Sequence, residues 1–349
     1  MNRALHDHAL AMLRDTLAPL ASQFDDPAVQ EVMVNRADDV WVEANGALRR
    51  HSVGVSEAQI RTAVQVLGAI SNKDVSNRGR EAIMDGRLEN MRVAAALRPV
   101  SIHGASICIR KHPRRALTLP DYLAQGALAP VAGLSESGED VSRPDAAQVR
   151  KGGPALEQLI RWAVRARKNI IVAGGTSTGK TTFLNALLSE IPSGERVITI
   201  EDTPELQVRR KNFVSFESNE QIQVSTRDPV KLALRYRPDR IIVGEVRGGE
   251  AFDLLQALST GHDGGVGTLH ANDANGALTR LEQLVLQSGI DWPFQAIRHQ
   301  IATTFHFIIQ LSRLSGARCI FEVVEILGYS GGSYQTAELF RASRSATGV

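Results

Sequence analysis

The chain has 349 residues, of which 43% are hydrophobic and 22% charged, which is the composition of a globular protein long enough for two domains. Its formal net charge of +2 provides no global positive field for nucleic acid or anionic lipid. No apolar run approaches the roughly 18 residues of a membrane span, and Cys108 and Cys319 lie far apart in no metal-binding spacing. We therefore expect a cytosolic protein with reduced thiols, whose association with a membrane would depend on a partner or a surface.

Residues 1–115 predict a small mixed α/β domain. Leucines at helical spacing occupy residues 10–20. Asn45-Gly46 predicts a tight hairpin turn because both residues tolerate positive φ, and Ser56 with Gln59 predicts a capping box at the start of a helix. Short strands are predicted at 29–34, 40–42, 91–100 and 106–110.

A linker is predicted over residues 116–153, and the basic cluster Lys111–Arg115 just before it is interpreted as solvated chain. Residues 132–153 are polar and contain almost no large apolar side chain, which is typical of a mobile insertion. The predicted boundaries are therefore 1–115 for the N-terminal α/β domain, 116–153 for the linker with its polar insertion, and 154–349 for a second domain.

From Pro154 the chain alternates between helices and short apolar strands. Pro154 itself occupies the first turn of a predicted helix, where its missing N–H has no partner to lose. Apolar strands separated by helices predict a parallel sheet with both faces covered, which is the core of a nucleotide-binding α/β domain. These strands are Ile170–Ala173, Val197–Glu201, Ile241–Gly244 and Val266–Leu269. A few more strands are expected between Phe305 and Phe340.

The loop after the first of these strands has the sequence of a Walker A motif, or P-loop. Its glycines let successive backbone N–H groups point at one phosphate, and the N-terminus of the following helix adds positive potential there. Lys180 is expected to reach the β- and γ-phosphates of a nucleoside triphosphate, and the Thr181 hydroxyl to bind Mg²⁺. The predicted nucleotide-binding residues are Gly174, Gly175, Thr176, Ser177, Thr178, Gly179, Lys180, Thr181 and Thr182.

Further polar groups lie at strand ends, where open α/β sheets place their ligands. Glu245 follows an apolar strand, with Gly244 where most P-loop enzymes have Asp, and is expected to position or deprotonate the attacking water. Glu201 and Asp202 follow another strand; either carboxylate is a candidate to hold Mg²⁺ through water, and Glu201 is also a catalytic candidate. His270 ends a strand beside a glycine-rich loop, which suggests a sensor of the γ-phosphate.

In this order, the motifs resemble those of the type II/type IV secretion ATPases. The resemblance rests on the P-loop and on the segments Ile200–Leu206, Arg237–Arg247 and Thr260–Ala271. Three segments of the N-terminal domain are similar to the conjugal-transfer branch of that family, typified by TrbB: Glu31–Asn35, Asp39–Glu43 and Ile107–Lys111.

The resemblance implies a RecA-like core that binds ATP and Mg²⁺. It also implies a homohexameric ring on the cytoplasmic face of the bacterial inner membrane, with the proteins of a secretion or conjugation apparatus as partners. It also implies arginines from the N-terminal domain that neutralise charge on the γ-phosphoryl group. Arg92 and Arg110 match those positions best, and Arg98 is a further candidate. Ser177 departs from the family, which usually has Gly there; if the position needs positive φ, Ser costs about 1 kcal/mol.

An ATP-hydrolysing motor for pilus assembly or substrate translocation is therefore the favoured function, and two alternatives stay open. One is a nucleic-acid translocase, although an aromatic content of 5% and the lack of a basic stripe argue against direct, sequence-specific binding of nucleic acid. The other is a nucleotide-gated scaffold, in which ATP holds the ring together and turnover is incidental.

Overall fold

The computed structural model describes residues 11–52, 54–70, 73–88, 91–111, 142–314 and 317–342. The chain divides into two compact units, Met1–Glu139 and Asp140–Val349. Each unit contains one β-sheet with helices in contact with it, which confirms the predicted α/β class.

The first unit is built on an antiparallel sheet. Its strands are β1 (Val29–Arg36), β2 (Asp39–Ala44), β3 (Ala47–His51), β4 (Ile83–Leu88), β5 (Met91–Ala96) and β6 (Ser106–Lys111). Its helices are α1 (Ala21–Asp25) and α2 (Glu57–Ile70), with helical residues at 11–16 and 3₁₀ turns at Ala18–Leu20 and Gly79–Ala82. The six strands lie in the order β3-β2-β1-β6-β5-β4, so that β1 and β6, distant in sequence, are central neighbours.

Local sequence determines the turn and the helix start in this unit. Asn45 and Gly46 take φ angles of 52° and 75° and join β2 to β3, as predicted. The Ser56 N–H donates to Gln59 Oε1 at 3.0 Å and the Gln59 N–H donates to Ser56 Oγ at 3.3 Å, which is the predicted capping box. β5 ends at Ala96 rather than at the predicted Val100, because the chain turns there.

The second unit is built on a larger, mixed sheet. Its strands are β7 (Ile170–Gly174), β8 (Val197–Glu201), β9 (Phe213–Glu217), β10 (Arg240–Val243), β11 (Val266–Leu269), β12 (Phe307–Leu314), β13 (Ala317–Ser330) and β14 (Ser333–Arg341). Its helices are α3 (Ala146–Val149), α4 (Pro154–Arg165), α5 (Lys180–Glu190), α6 (Arg227–Ala233), α7 (Glu250–Ser259), α8 (Ala274–Leu286) and α9 (Phe294–Thr304), with a 3₁₀ turn at Glu220–Ile222. The eight strands lie in the order β14-β13-β12-β7-β11-β10-β8-β9.

The parallel part of this sheet brings the sequence motifs to one edge. β12, β7, β11, β10, β8 and β9 are parallel, whereas β13 and β14 are added antiparallel. The predicted apolar strands β7, β8, β10 and β11 are buried along their whole length, as expected for strands covered on both faces. Since parallel strands share one carboxyl edge, the loops that follow them are neighbours there.

The linker prediction is wrong for residues 142–153. Asp145 caps α3 by accepting the N–H groups of Ala147 and Gln148, and Val149 is buried in the core of the second unit. This short helix packs on α4 and β14. One buried valine therefore anchors a segment whose composition is otherwise polar and alanine-rich. Residues 112–141, which include most of the basic cluster and the rest of the predicted linker, lie outside the described residues.

Both cysteines are free; Cys108 is buried and Cys319 is partly buried. Within the described ranges, no helix is both long and apolar enough to cross a membrane.

Candidate active site

The P-loop connects β7 to α5 at the carboxyl edge of the second sheet. Gly179, which precedes α5, has a φ of 94°, a left-handed conformation that glycine adopts without strain. The Thr178 hydroxyl donates to the Gly175 carbonyl at 2.9 Å and fixes the curl of the loop. A Cβ on Gly174 would lie 2.9 Å from the Leu311 carbonyl oxygen, so this position has no room for a side chain.

Ser177 lies at the tip of the loop and has a φ of 61°. The position therefore does require the left-handed conformation, and serine carries there the backbone strain that a glycine would avoid. The side chain is exposed, as are those of Thr176 and Thr182, so the strain comes from the backbone rather than from a packed neighbour.

Lys180 begins α5 and folds back over the loop. Its Nζ donates to the carbonyl oxygens of Gly174 at 3.0 Å and Gly175 at 3.1 Å. The side chain is buried, and burial lowers the pKa of Lys180; the Glu245 carboxylate opposes this shift and the Arg247 charge adds to it. The ammonium group is thus held at the mouth of the loop, in position to exchange two carbonyl oxygens for phosphate oxygens.

Glu245 follows β10 and directs its carboxylate towards the P-loop lysine. Its Oε2 accepts a hydrogen bond from Arg247 at 2.7 Å, and its Oε1 lies 2.9 Å from Nε2 of His270. Burial by itself raises the pKa of Glu245, but the hydrogen bond and charge of Arg247, together with the charges of His270 and Lys180, lower it overall. The carboxylate therefore stays ionised, which is the state that a general base requires.

His270, just after β11, joins the lysine to the carboxylate. Its ring nitrogens lie 3.4 and 3.5 Å from Lys180 Nζ, and Nε2 also faces Glu245. The neighbouring strands are tied together at this point, since the Thr268 hydroxyl donates to the Gly244 carbonyl at 2.6 Å. The structure thus brings three predicted residues from three separate motifs into one cluster.

Arg247 is a member of the site to which the sequence analysis assigned no role. Its guanidinium donates to Glu245 and, at 2.5 Å, to Asp202 Oδ2, so it bridges the loops after β10 and β8. Its backbone N–H donates to Glu250 Oε1 at 2.6 Å, which fixes the turn into α7. The available signal was the spacing of Glu245 and Arg247, which puts both side chains on the same side of an extended segment.

Glu201 ends β8 with a buried side chain that organises its own loop. Its Oε1 accepts the backbone N–H groups of Glu205 at 2.8 Å and Leu206 at 2.9 Å. Burial raises the pKa of Glu201, although these two hydrogen bonds lower it. A Cβ on Gly244 would lie 2.9 Å from Glu201 Cγ, so the glycine in place of the usual Asp makes room for this side chain. The contacts give Glu201 a positioning function, and its catalytic role stays a prediction.

Asp202 and Thr181 were predicted to hold Mg²⁺. Asp202 is about half exposed and also accepts its neighbour Thr203 N–H at 2.9 Å, while Thr181 lies in the first turn of α5. In the described part of the chain no cluster of three or more acidic, His or Cys side chains is suited to a metal ion. A hydroxyl and one carboxylate nevertheless suit Mg²⁺, which keeps several waters and shares its remaining positions with phosphates.

The predicted arginines of the first unit divide into two groups. Arg92 on β5 and Arg110 on β6 are direct cross-strand partners, so their side chains share one face of the sheet. The Nε atoms lie 3.6 Å from Asp85 and 3.3 Å from Glu31, respectively, and the side chains are 41% and 66% exposed. Two guanidinium groups placed side by side repel each other, and their carboxylate partners only partly offset this. Arg98 lies beyond the other end of β5 and does not join this pair.

Comparisons with known proteins agree with these motifs. A family model described as "Type II/IV secretion system protein" matches residues 139–339. The conjugal transfer protein TrbB of Rhizobium radiobacter is 32% identical, over 95% of this chain and 94% of that protein. The type IV secretion system protein VirB11 of Bartonella henselae is 31% identical, over 93% of this chain and 96% of that protein. The crystal structure of the VirB11 ATPase from Brucella suis, in complex with sulphate, has a TM-score of 0.81 and 29% identity, and the match covers 91% of this chain and 95% of that one.

Proposed function

The chain belongs to the type II/IV secretion system family and is an ATPase, and we propose that it works as a homohexameric motor that powers substrate translocation or pilus assembly in a conjugation-type apparatus. The VirB11 ATPase and conjugal transfer relatives support the choice of apparatus. The site proposed for this work lies at the carboxyl edge of the second sheet.

The observation that carries the proposal is the cluster of Lys180, Glu245 and His270. Lys180 Nζ lies within 3.5 Å of His270, and His270 lies 2.9 Å from Glu245. A binding module needs the P-loop and its lysine, but it has no use for an ionised carboxylate beside the γ-phosphate position. The carboxylate is the group that hydrolysis adds, because water must be oriented and must lose a proton.

In the proposed reaction, Lys180 leaves the carbonyl oxygens of Gly174 and Gly175 and binds β- and γ-phosphate oxygens. The oxygen of a water bonded to Glu245 attacks the γ-phosphorus. The bond between that phosphorus and the β–γ bridging oxygen breaks, and ADP leaves with the electron pair. The proton of the water passes to Glu245 and from there to solvent.

Glu245 Oε2 accepts the hydrogen bond from Arg247, whereas Oε1 is buried and accepts no hydrogen bond within the described part of the chain, although it lies 2.9 Å from Nε2 of His270. The Arg247 bond keeps the carboxylate ionised, so Oε1 is the oxygen left to accept a hydrogen bond from the attacking water. His270, which also contacts Lys180, is placed to detect whether the lysine has moved to a phosphate.

Mg²⁺ would be held by the Thr181 hydroxyl and, through a water molecule, by Asp202. When bound, the ion would neutralise part of the negative charge of the phosphates. Arg247 competes for the same carboxylate, so Asp202 must release the guanidinium to take up that role.

We further propose that Arg92 and Arg110 act on the γ-phosphoryl group from the N-terminal unit. Two adjacent guanidinium groups on one sheet face suit the charge that spreads over the phosphoryl oxygens in the transition state. The protein is proposed to act on the inner face of the bacterial inner membrane, bound to other proteins of the apparatus.

The test uses the full chain with Lys180→Ala and Glu245→Gln, and Lys151→Ala as a control, since Lys151 is an exposed lysine remote in sequence from the loop. Lys180→Ala should reduce ATP turnover to background. Glu245→Gln should bind ATP normally but hydrolyse it about 100-fold more slowly or worse. Turnover that survives in Lys180→Ala would show that the phosphate site is elsewhere, and loss of binding in Glu245→Gln would make Glu245 structural.

The alternatives are separated with the same Glu245→Gln variant. A motor should still form the ring but lose substrate transfer in cells, whereas transfer that persists without hydrolysis would indicate a nucleotide-gated scaffold. Turnover of the wild type that rises with added single-stranded DNA and falls with salt would indicate a nucleic-acid translocase instead.

A further inference from the structure

The sheet order gives the P-loop two different sides. Glu245 and His270 follow β10 and β11, which lie on one side of β7. β12 and β13 lie on the other side. Because water must attack the γ-phosphate beside Glu245, the remainder of the nucleotide extends away from that side. The α-phosphate and the sugar would therefore face β12 and β13.

Arg318, near the start of β13, lies against the P-loop on this second side. A Cβ built on Gly179 would lie 3.1 Å from Arg318 Cδ, 3.7 Å from Nε and 3.8 Å from Nη1. The aliphatic stem thus packs on the glycine that precedes α5, and the guanidinium lies beside the N-terminus of that helix.

The charge of this arginine is not compensated. Within the described part of the chain the exposed side chain of Arg318 makes no hydrogen bond or ion pair, in contrast to that of Arg247, which binds two carboxylates. Its cross-strand partner is Arg313, another cation. A guanidinium beside a helix N-terminus meets the positive end of the helix dipole, so its position is unfavourable until an anion binds there.

The same face of β13 continues into an apolar groove. Ile320, two residues after Arg318, lines it together with Phe183 and Leu187 of α5, and the groove has a volume of about 320 Å³. The rest of its lining lies along α4 and along α5 as far as Glu190, at the end of α5 opposite the P-loop. The groove is therefore a surface beside α5, and the position of Arg318 on the P-loop is the contact that bears on the nucleotide.

We propose that Arg318 binds the α-phosphate end of the nucleotide, the part that ATP and ADP share; this rests on the proposed function of the P-loop. An interaction that is equally strong in ATP, the transition state and ADP contributes to affinity but not to the chemical step. Removing the guanidinium should then raise the Kd for ADP and for ATP by the same factor, about 10- to 100-fold for one charge-assisted hydrogen bond, with kcat retained.

The experiment measures binding of ADP and of a non-hydrolysable ATP analogue to the full chain, together with kcat and KM. The variants are Arg318→Ala and Arg318→Gln, with Arg318→Lys to keep the charge without the planar guanidinium. The matched control is Arg209→Ala, because Arg209 is exposed and donates to Gln207 in a loop away from β13. Circular dichroism and the thermal midpoint identify variants that are misfolded.

Equal weakening of both nucleotides in Arg318→Ala and Arg318→Gln, partial recovery in Arg318→Lys and no change in Arg209→Ala are expected. ADP affinity that stays within twofold of the wild type would overturn the inference, as would a loss confined to the ATP analogue, which would place Arg318 at the γ-phosphate. A fall in kcat with unchanged affinity would also overturn it. If the wild-type chain binds neither nucleotide, the proposed function fails and this inference with it.

Discussion

Gly244→Ala is expected to destabilise the second unit and to slow ATP turnover. The new Cβ would lie 2.9 Å from Glu201 Cγ, about 0.5 Å closer than ordinary van der Waals contact allows. Its other neighbours, the Ile200 carbonyl oxygen at 3.5 Å and Glu201 Cβ at 3.6 Å, are acceptable contacts. Over-packing of this kind costs about 1–3 kcal/mol, and it would push Glu201 away from the N–H groups of Glu205 and Leu206.

The expected fall in the thermal midpoint is about 2–4 °C for each kcal/mol in a unit of this size. Thermal unfolding of the full chain is followed with and without an ATP analogue, since the transition that shifts with nucleotide belongs to the second unit. Gly194→Ala is the matched control: a Cβ there meets nothing within 4 Å, so the change should be neutral or slightly stabilising. Steady-state turnover should fall in Gly244→Ala and stay unchanged in the control.

A double-mutant cycle with Glu201→Ala tests the cause. Truncation at Glu201 removes Cγ, the atom in conflict, so Gly244→Ala should cost little in that background. The two substitutions should therefore be non-additive by about the full 1–3 kcal/mol cost of Gly244→Ala alone. Additive effects would refute the reasoning and show that Gly244 serves some need other than space for Glu201.

Three more outcomes are expected. Arg247→Ala removes a hydrogen bond and a positive charge that lower the pKa of Glu245. Because the active carboxylate is lost as pH falls through that pKa, the acid limb of the kcat/KM profile should move to higher pH. An unchanged acid limb would argue against Glu245 as the base. Arg92→Ala or Arg110→Ala should lower kcat by about 10³-fold with a smaller change in nucleotide affinity. Single-turnover kinetics and equilibrium binding measure the two effects, and a change in affinity alone would contradict a transition-state role. Ser177→Gly relieves the strain of a φ of 61° and should raise the free energy of unfolding by up to about 1 kcal/mol. Ser177→Ala keeps a Cβ and should not raise it. Equal free energies of unfolding for the two variants would exclude strain at this position.

The proposed nucleotide site could be located from the sequence because its motifs are short contiguous segments. A P-loop needs glycines, a lysine and a threonine at fixed positions within one turn, and each strand that feeds it is a continuous apolar run. The strand ends at Glu245 and His270 were predictable for the same reason, since parallel strands necessarily end at a common edge. For Ser177 the sequence provided only the condition that a positive φ would cost strain, and the structure shows that φ to be 61°.

The segment 142–153 shows how composition can mislead. Its polar and small residues are typical of a linker, yet Asp145 caps a helix and Val149 is buried in the core. A single apolar side chain carries no periodicity, so local pattern could not show that it has a partner surface. The packing of α3 on α4 and β14 decides this.

The sequence by itself determined the fold class, the family and the residues at the P-loop, because these depend on local spacing and on strand and helix periodicity. Only the tertiary structure decided which side chains meet across distant segments: Arg247 between Glu245 and Asp202, Glu201 in the space left by Gly244, Arg92 opposite Arg110, and Arg318 against Gly179. Periodicity shows which face of a strand is buried but not which strand lies beside it or in what register. Those contacts depend on the pairing of whole strands, whose free energy is spread over the entire sheet rather than held in any one motif.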